Sequence, residues 1–397
     1  MSVPSVDEAR ARMLAWVEAL PVEVVPLAEA LGRTLAEDIH ALRDQPPYAG
    51  SAMDGWAMRS ADTPGALRIV GESAAGAPFA GGIGAGEAVR IFTGAALPPG
   101  ADAVVIQENA ERRGDAVDVP AAPVGDYIRP AGCDFKGGQL LLARGMRLDP
   151  WRLSLAAAGG RGEARVAKRP RVSFLSTGEE IIDPGMTPGP FQIFDAGTVA
   201  LVGLALQWGA EATRLKPVRD DVEATVAAVR DEACDLLVTV GGASVGDHDL
   251  VKPALGALGL ELAVESVNVR PGKPTWFGRL ADGRRVLGLP GNPASSLVCA
   301  ELFLWPILMA MQGGPATPEL VTARAGRAFP ANGAREHWMR ARLTPDADGV
   351  IRAEAFADQD SSLVSVFANA DALVRRPAGA PPLAVGEAIE ALPLSRA

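Results

Sequence analysis

The sequence is poor in cysteine and histidine, with three of each among its 397 residues. Cys133, Cys234 and Cys299 lie far apart and are odd in number. We therefore expect no disulfide framework, and this usage favours a reducing compartment. Because no two cysteines have the close spacing of a zinc motif, we also expect no structural zinc site.

Basic charge and long hydrophobic runs are also scarce. Lys and Arg number 38 against 48 Asp and Glu, a net charge of −10. We expect no nucleic-acid partner, which would need a basic face, although a local basic pocket for a small anion remains compatible with this balance. The longest apolar run, Leu297–Met311, contains Glu301 and Pro306 and is too short to span a bilayer. The charged N-terminus does not resemble a signal peptide, so we expect a cytoplasmic protein with no membrane partner.

Glycine and proline are abundant instead, with 44 and 32 residues, and apolar residues make up 48% of the chain. That apolar fraction is too high for a disordered chain, and the glycines show no collagen-like period. We therefore interpret them as turns and shaped loops. At roughly 100–200 residues per domain, the length predicts two to four domains.

Two separate stretches predict a discontinuous N-terminal domain. Ser5-Val-Asp-Glu8 is a capping box, and the apolar spacing behind it predicts a helix over residues 6–20. Helical spacing returns at Trp151–Ala158. The short β-like runs between them, separated by Gly and Pro clusters, predict an inserted all-β domain. We assign residues 1–42 and 146–168 to the helical or linker domain, and residues 43–145 to the insertion.

Strands and helices alternate from Arg171 to Met311. This alternation predicts a doubly wound, mainly parallel sheet covered on both faces, in an α/β domain over residues 169–316. We predict strands at 171–176, 212–218, 235–240 and 262–269, a hairpin of 275–280 and 285–289, and a long helix over Ala294–Met311. Residues 317–397 return to β-like runs and predict a barrel-like C-terminal domain. The fold class is therefore α/β plus β.

Polar or glycine-rich loops follow the predicted strands. They are Ser176-Thr-Gly-Glu-Glu180, Arg219-Asp-Asp221, Gly241-Gly-Ala-Ser-Val-Gly-Asp-His-Asp249, Arg270-Pro-Gly-Lys-Pro274 and Pro290-Gly-Asn-Pro293. In open α/β sheets, ligands bind outside the carboxyl ends of the strands. The glycines would let backbone N–H groups approach a phosphate. The carboxylates would repel an anion unless a hard cation lay between, so the loops indicate a Mg²⁺-phosphate ligand.

Each of these features also has a plainer interpretation. The Gly-Gly loop is compatible with an ordinary tight turn, and Arg270 and Lys273 with solvated surface charge. One of Asp220 and Asp221 is expected to be a helix N-cap. Asp54-Gly55 and Thr93-Gly94 in the insertion resemble turns. The residues alone leave both interpretations open.

Six motifs, in order and over nearly the whole chain, resemble the molybdopterin molybdenumtransferase family, which includes MoeA proteins and the E domain of gephyrin. They are Pro47…Ser51-Ala-Met-Asp-Gly55, Arg90-Ile-Phe-Thr-Gly94 with Gly100-Ala-Asp-Ala-Val-Val-Ile-Gln-Glu108, the loops beginning at Ser176, Gly241 and Arg270, and Gly288-Leu-Pro-Gly-Asn-Pro293. The resemblance implies insertion of molybdate into adenylylated molybdopterin by an elongated homodimer, with Mg²⁺-dependent release of AMP. It also implies exchange with a molybdopterin adenylyltransferase and molybdoenzyme maturation proteins.

The resemblance further assigns roles to residues. Catalytic roles fall on Asp54, Thr93, Glu180, Asp249 and Lys273, and Mg²⁺ ligation on Glu180, Asp221 and Asp249. The pterin nucleotide and molybdate would be bound by Ser176, Thr177, Gly178, Gly241, Gly242, Ser244, Gly246, Arg270, Pro290, Gly291, Asn292, Pro293 and Ser361. In the family the inserted β domain closes the cleft, partly from the partner subunit.

Two other functions are compatible with the sequence. A molybdopterin adenylyltransferase would share the α/β fold, but the related family has a Gly-Gly-Thr-Gly loop where this chain has Gly-Gly-Ala-Ser, and the four-domain length disfavours it. A dimeric scaffold with a degenerate site would bind partner peptides instead. The presence of Asp54, Thr93, Glu180, Asp249 and Lys273 disfavours a pure scaffold.

Overall fold

The computed structural model describes residues 3–242 and 250–394. Its α-helices are Val6–Leu14, Pro150–Ala158, Ala196–Gln207, Val222–Val229, Val251–Gly256, Pro293–Cys299, Trp305–Met311 and Val364–Ala368. Short 3₁₀ turns occur at Leu27–Glu29, Ser60–Asp62 and Gln107–Asn109. The strands form three larger sheets and four two-stranded pairs.

The first helix begins at the predicted capping box, where Ser5 and Glu8 bond to each other's backbone N–H groups. It ends at Leu14 rather than at residue 20. After Leu14 the chain tightens into i→i+3 turns, with Trp16 N–H bonded to the Met13 carbonyl at 3.1 Å. The remaining apolar residues of the predicted helix, such as Trp16, pack on the α/β core as a loop.

The N-terminal module is built from the two predicted stretches, which meet in space. Its strands pair antiparallel as Val22–Pro26 with Glu163–Ala167 and Ile39–His40 with Leu140–Leu142. Helix Pro150–Ala158 begins at Asp149, whose side chain accepts from Arg152 N–H. A small core including Leu35, Leu148 and Val166 fills this module. The buried residues of Val6–Leu14 instead pack into the α/β core.

The insertion is all β apart from its two 3₁₀ turns, as predicted. Its sheet has the order Ala103–Ile106, Gly55–Met58, Glu87–Ile91, Gly65–Ser73, Ala116–Val119 and Glu111–Arg113. A short pair, Gly50–Ser51 with Ile128–Arg129, is added beside it. We call this unit the β module. Two apolar clusters formed within it supply its own core.

The central sheet has the order Glu211–Arg214, Arg171–Ser176, Leu236–Val240, Arg285–Leu289, Trp276–Arg279 and Glu261–Val264. The first four strands are parallel, Trp276–Arg279 runs antiparallel to them, and Glu261–Val264 pairs antiparallel with Trp276–Arg279. All five residues of Leu236–Val240 are buried, as expected for a strand covered on both faces. One face packs on a core that includes Leu201 and Leu297, and the other on a core with Val229 and Leu255.

Two strand predictions on this sheet were too long. The second strand ends at Arg214 rather than at residue 218. The segment predicted as one strand over 262–269 is two, because Val269–Arg270 leaves the central sheet and pairs with Glu336–Pro345 of the C-terminal unit. This long-range pairing brings Arg270 to the junction between the two units.

The long apolar helix begins at Pro293, one residue before the predicted start, and is interrupted. Residues Ala300–Leu304 form a π-helical turn between Pro293–Cys299 and Trp305–Met311. Pro306 explains the interruption, because it has no N–H to donate and its ring crowds the preceding turn. The span Pro293–Met311 is apolar enough to cross a membrane by length and composition, but 89% of it is buried inside the protein, as in a core helix.

The C-terminal unit is a closed barrel of five strands: Val321–Ala325, Glu336–Pro345, Ile351–Ala355, Ala372–Arg376 and Ala388–Pro393. Its core is rich in alanine, with Ala341, Ala353 and Ala391 fully buried. The barrel-like prediction is confirmed. Helix Val364–Ala368 packs against Pro293–Cys299 and so joins the barrel to the end of the central sheet where the predicted loops lie.

Candidate functional site

Three of the predicted loops converge at the carboxyl edge of the central sheet. Thr177 N–H donates to Val240 carbonyl at 3.0 Å, and Gly241 N–H donates to Leu289 carbonyl at 3.2 Å. Gly241 has φ +96°, and a Cβ there would lie 2.7 Å from the Thr177 carbonyl oxygen. Only glycine fits at position 241, because any other residue would strain the backbone at this φ and its Cβ would collide with the Thr177 backbone. The loops that contain Thr177, Gly241 and Gly291 therefore lie side by side.

Thr177 carries a buried hydroxyl that forms no hydrogen bond among the described residues. Its Oγ1 lies 3.2 Å from the positions a Cβ would take on Gly241 and on Gly242, so it faces the glycine loop. An unsatisfied buried hydroxyl costs about 1–3 kcal/mol, and native proteins rarely retain one without a reason. A ligand oxygen seated at the glycine loop would satisfy it.

The Ser176 hydroxyl, by contrast, already has a hydrogen-bond partner within the protein. Its hydroxyl donates to Asp195 Oδ2 at 2.8 Å, and the same oxygen accepts from Arg214 Nη2 at 2.9 Å. Burial alone would raise the pKa of Asp195, but hydrogen bonds from Thr198, Ser176 and Arg214 hold it below its usual value. Asp195 is also the N-cap of helix Ala196–Gln207, where its Oδ1 accepts from Thr198 N–H at 3.0 Å.

The acidic candidates are spread along the same edge. Glu180 is exposed, and its carboxylate lies close to Gly178, where an added Cβ would be 2.6 Å from Oε2. Asp221 is the N-cap of Val222–Val229, and its Oδ1 accepts from Ala224 N–H at 2.7 Å. Within residues 3–242 and 250–394, no three His, Cys, Asp or Glu side chains group closely enough to hold a metal ion.

The basic candidates line a cavity of about 270 Å³ at the junction with the barrel. Arg270 and Lys273 come from the loop after Val269–Arg270, and the barrel contributes Arg335, Gln359 and Ser361. The sequence did not identify Arg335 or Gln359 as site residues. No local pattern marks them, because they reach the cavity through the pairing of Val269–Arg270 with Glu336 and His337. The result is a hollow lined by three cationic side chains and one acidic residue, Asp360, whose carboxylate accepts from Ser362.

Ser361 ties the barrel to the loop that follows Arg285–Leu289. Its Oγ accepts from Asn292 Nδ2 at 2.8 Å, and its carbonyl accepts from Ala294 N–H at 3.0 Å. The fully buried Arg340 holds the same barrel loop, donating to Asp360 carbonyl at 2.9 Å. The loop carrying Ser361 is therefore fixed from both sides.

His337 pairs with Arg270 in the strand register and lies near the cationic residues of the basic cavity. Burial, followed by the nearby charges of Arg270, Arg340 and Arg335, lowers the pKa of His337 to about 4. The imidazole is therefore neutral at physiological pH. A neutral His337 adds no further positive charge near Arg270, Arg340 and Arg335.

Asp54 and Thr93 are brought together in the β module. One oxygen of Asp54 accepts from both the backbone N–H and the hydroxyl of Thr93, each at 2.8 Å. Hydrogen bonds from the Thr93 backbone and side chain, with the charge of Arg90, lower the pKa of Asp54. Within the described residues, neither side chain hydrogen-bonds to the central sheet. The predicted site residues therefore fall into two groups, one in the β module and one at the sheet edge.

The similarity to known proteins extends over the whole chain. Three family profiles match in order: "MoeA N-terminal region (domain I and II)" at residues 4–160, "Probable molybdopterin binding domain" at 173–310 and "MoeA C-terminal region (domain IV)" at 322–394. A molybdopterin molybdenumtransferase of Synechococcus elongatus is 35% identical over 95% of this chain and 96% of its own length. The chain belongs to the molybdopterin molybdenumtransferase family.

Further relatives agree. A molybdopterin molybdenumtransferase of Nostoc is 34% identical over 80% of this chain and 76% of its own length. Two structures of the molybdopterin biosynthesis MoeA protein from Pyrococcus horikoshii are 31% and 26% identical, each with a TM-score of 0.83, and cover 100% and 99% of this chain and 100% of theirs. The resemblance seen in the six motifs is confirmed, and membership makes this chain a transferase of molybdenum cofactor biosynthesis.

The family's site residues on this chain remain predictions at the level of individual roles. Ser244, Gly246 and Asp249 lie outside the described residues. Of the others, the sheet-edge group lies together and the Arg270, Lys273 and Ser361 group lines the adjoining cavity. Asp54 and Thr93 bond to each other in the β module, apart from both of these groups.

Proposed function

We propose that the chain inserts molybdate into adenylylated molybdopterin and releases AMP. The observation that most supports this reaction is the basic cavity beside the sheet edge, with Arg270 and Lys273 on one wall and Arg335 on another. Molybdate is a small tetrahedral dianion, and it suits a hollow of about 270 Å³ in which three cationic side chains outnumber one carboxylate, Asp360. Its molybdenum needs soft sulfur ligands, which the dithiolene of the substrate supplies, so no protein cysteine is required.

The pterin nucleotide would lie along the adjoining sheet edge. The close-packed glycines let backbone N–H groups approach its phosphates, and the unsatisfied Thr177 hydroxyl would donate to a phosphate oxygen. Asn292 and Ser361 fix the loop between nucleotide and molybdate. The substrate's dithiolene and the incoming oxyanion would then be held next to each other, which lowers the entropic cost of their reaction.

Mg²⁺ fits one part of this arrangement. Glu180 is exposed at the sheet edge and forms no side-chain hydrogen bond among the described residues, while one oxygen of Asp221 already serves as a helix cap. Mg²⁺ commonly takes only one or two protein carboxylates, with water and substrate phosphate oxygens completing its shell. Glu180, with Asp221 and Asp249 as predicted partners, would hold the ion, which when bound would neutralise charge on the phosphoanhydride.

We further propose that each active site combines two copies of the chain. Asp54 and Thr93 form a preorganised acceptor and hydroxyl pair, but within residues 3–242 and 250–394 neither side chain hydrogen-bonds to the sheet edge of its own chain. A two-fold homodimer would place the β module of one copy over the sheet edge of the other. We also propose a cytoplasmic location, with a molybdopterin adenylyltransferase supplying the substrate and molybdoenzyme maturation proteins receiving the product.

The test of the reaction uses purified protein with adenylylated molybdopterin, Mg²⁺ and molybdate, and measures AMP and metal-loaded cofactor. We expect both products from the wild type and loss of both from Lys273→Met. Lys168→Met is the matched control, because Lys168 is exposed before the opposite end of strand Arg171–Ser176. Absence of products from the wild type, or an unaffected Lys273→Met, would contradict the proposal.

The composite site has a separate test. Asp54→Ala and Lys273→Met are each expected to be inactive alone. After mixing equal amounts with subunit exchange, half of the dimers are mixed and each mixed dimer has one intact site of two, so about a quarter of wild-type activity should return. A site formed within one chain would give no recovery in the mixture.

A further inference from the structure

A second, larger cavity lies away from the sheet edge, where the N-terminal module, the interrupted helix and the end of the barrel meet. It has a volume of about 810 Å³, within the range of small-molecule sites. Glu301, Trp305 and Met309 line it from one face of the helix, at four-residue spacing. Glu301 is about 12 Å along the helix from Pro293, at 1.5 Å per residue, and the cavity shares no lining residue with the basic cavity.

Glu301 is the unusual group in this cavity. It is only 6% exposed, and its carboxylate forms no hydrogen bond or ion pair among the described residues. Burial raises the pKa of Glu301 to about 7, with no charged neighbour contributing to the shift. A buried acid that lacks a partner is costly to keep, and a structural role would be served as well by an apolar side chain.

The other charges around the cavity are engaged or exposed. Arg147 donates to the carbonyls of Gly32 and Gln207, at 3.1 and 2.7 Å. Arg152 donates to the Arg147 carbonyl at 2.7 Å and pairs with Asp149.

Arg144 and Glu319 are exposed at the rim, and the barrel contributes no charge to the lining. Glu301 is therefore the one cavity-lining charge that is both buried and uncompensated among the described residues.

We infer that this cavity binds an organic cation, an ammonium, amidinium or guanidinium group on an apolar body, whose charge pairs with Glu301. The cation would also lie near the indole of Trp305, whose face attracts positive charge, while Met309 contacts the apolar body. An anion would be the worse ligand, because it would have to be buried against the Glu301 carboxylate. Three arginines also line the cavity and keep their positive charge, but none of them pairs with Glu301: Arg152 pairs with Asp149, Arg147 donates to carbonyls and Arg144 is exposed.

Benzamidinium and its neutral isostere benzamide provide the probe pair, with benzoate as the anion, measured by calorimetry on the full chain. At pH 8 we expect benzamidinium to bind at least about tenfold more tightly than benzamide. Glu301→Gln should lower benzamidinium affinity to that of benzamide. Glu319→Gln, which removes the exposed acid at the rim, is the matched control and should change affinity less than about twofold.

The pH dependence supplies a second readout. Below pH 7 the bound cation must displace the proton of Glu301, so affinity should fall about tenfold per pH unit, with release of a proton on binding. Glu301→Gln should abolish that dependence, and its thermal unfolding would show that it folds. Equal binding of benzamide and benzamidinium, tighter binding of benzoate, or a pH-dependent Glu301→Gln would each overturn the inference. None of these measurements depends on molybdenum transfer.

Discussion

The unsatisfied hydroxyl of Thr177 predicts that one substitution improves stability and weakens ligand binding. Thr177→Val keeps the shape of the side chain and removes the buried Oγ1, which has no partner among the described residues. Relief of that unsatisfied group should stabilise the protein by about 1–2 kcal/mol. For a unit of 150–250 residues, each kcal/mol corresponds to roughly 2–4 °C in Tm.

The same substitution should weaken nucleotide binding. A hydrogen bond to a charged phosphate contributes about 1.5–3 kcal/mol, so Kd for AMP should rise roughly tenfold to 150-fold. Stability is measured by thermal and denaturant unfolding, and affinity by calorimetry with AMP and Mg²⁺.

Thr239→Val is the matched control for Thr177→Val. Thr239 is fully buried in the neighbouring strand, and its Oγ1 also lacks a partner among the described residues, but it lies inside the sheet rather than at its edge. We expect it to stabilise the protein to a similar degree without changing AMP affinity. The reasoning is refuted if Thr177→Val leaves AMP affinity unchanged, or if both variants weaken it equally.

Other predictions concern stability, pH and catalysis. Gly241→Ala should destabilise the protein by about 2–5 kcal/mol in denaturant unfolding, through its positive φ and its contact with backbone, whereas Gly291→Ala should be tolerated. Glu301 loses its contribution to stability as pH rises from 4.5 through about 7, so Glu301→Gln should be more stable than wild type by about 3 kcal/mol above pH 7 and equal to it near pH 4. His337 acts in the opposite direction: stability should fall as pH drops from 6.5 to about 4, and His337→Gln should remove that dependence in pH-resolved melts. Asp54→Asn should lower turnover at least about tenfold with unchanged Tm, since Asp54 is not part of a core.

The sheet-edge half of the site was predictable from sequence for a topological reason. Strand and helix alternation predicts a parallel sheet, and parallel strands end at one edge, so the loops beginning at Ser176, Gly241 and Pro290 had to meet there. The structure confirms that convergence through the contacts of Thr177 with Gly241 and of Gly241 with Gly291. Their individual roles remain predictions.

Only some of the residues that line the basic cavity could be predicted from sequence. Arg270 and Lys273 stand in a motif that local sequence reveals, whereas Arg335 and Gln359 reach the cavity because Val269–Arg270 pairs with a strand more than sixty residues away. Such pairing depends on long-range geometry that no local periodicity records. The first helix illustrates the same limit: its N-terminal cap is local and was predicted, but its end at Leu14 depends on tertiary packing that draws Trp16 into the core as a loop.

The β module is attached to the rest of the chain in an unusual way. Its entry and exit run side by side through the paired strands Ile39–His40 and Leu140–Leu142, and just beyond them Gly137 N–H bonds to Asp44 Oδ1 at 2.8 Å. A narrow ribbon of this kind bends more easily than a broad interface. Rotation at this ribbon would move the β module, with Asp54 and Thr93, as a rigid body. Substrate entry and closure would then require no unpacking of the β-module core or of the N-terminal core.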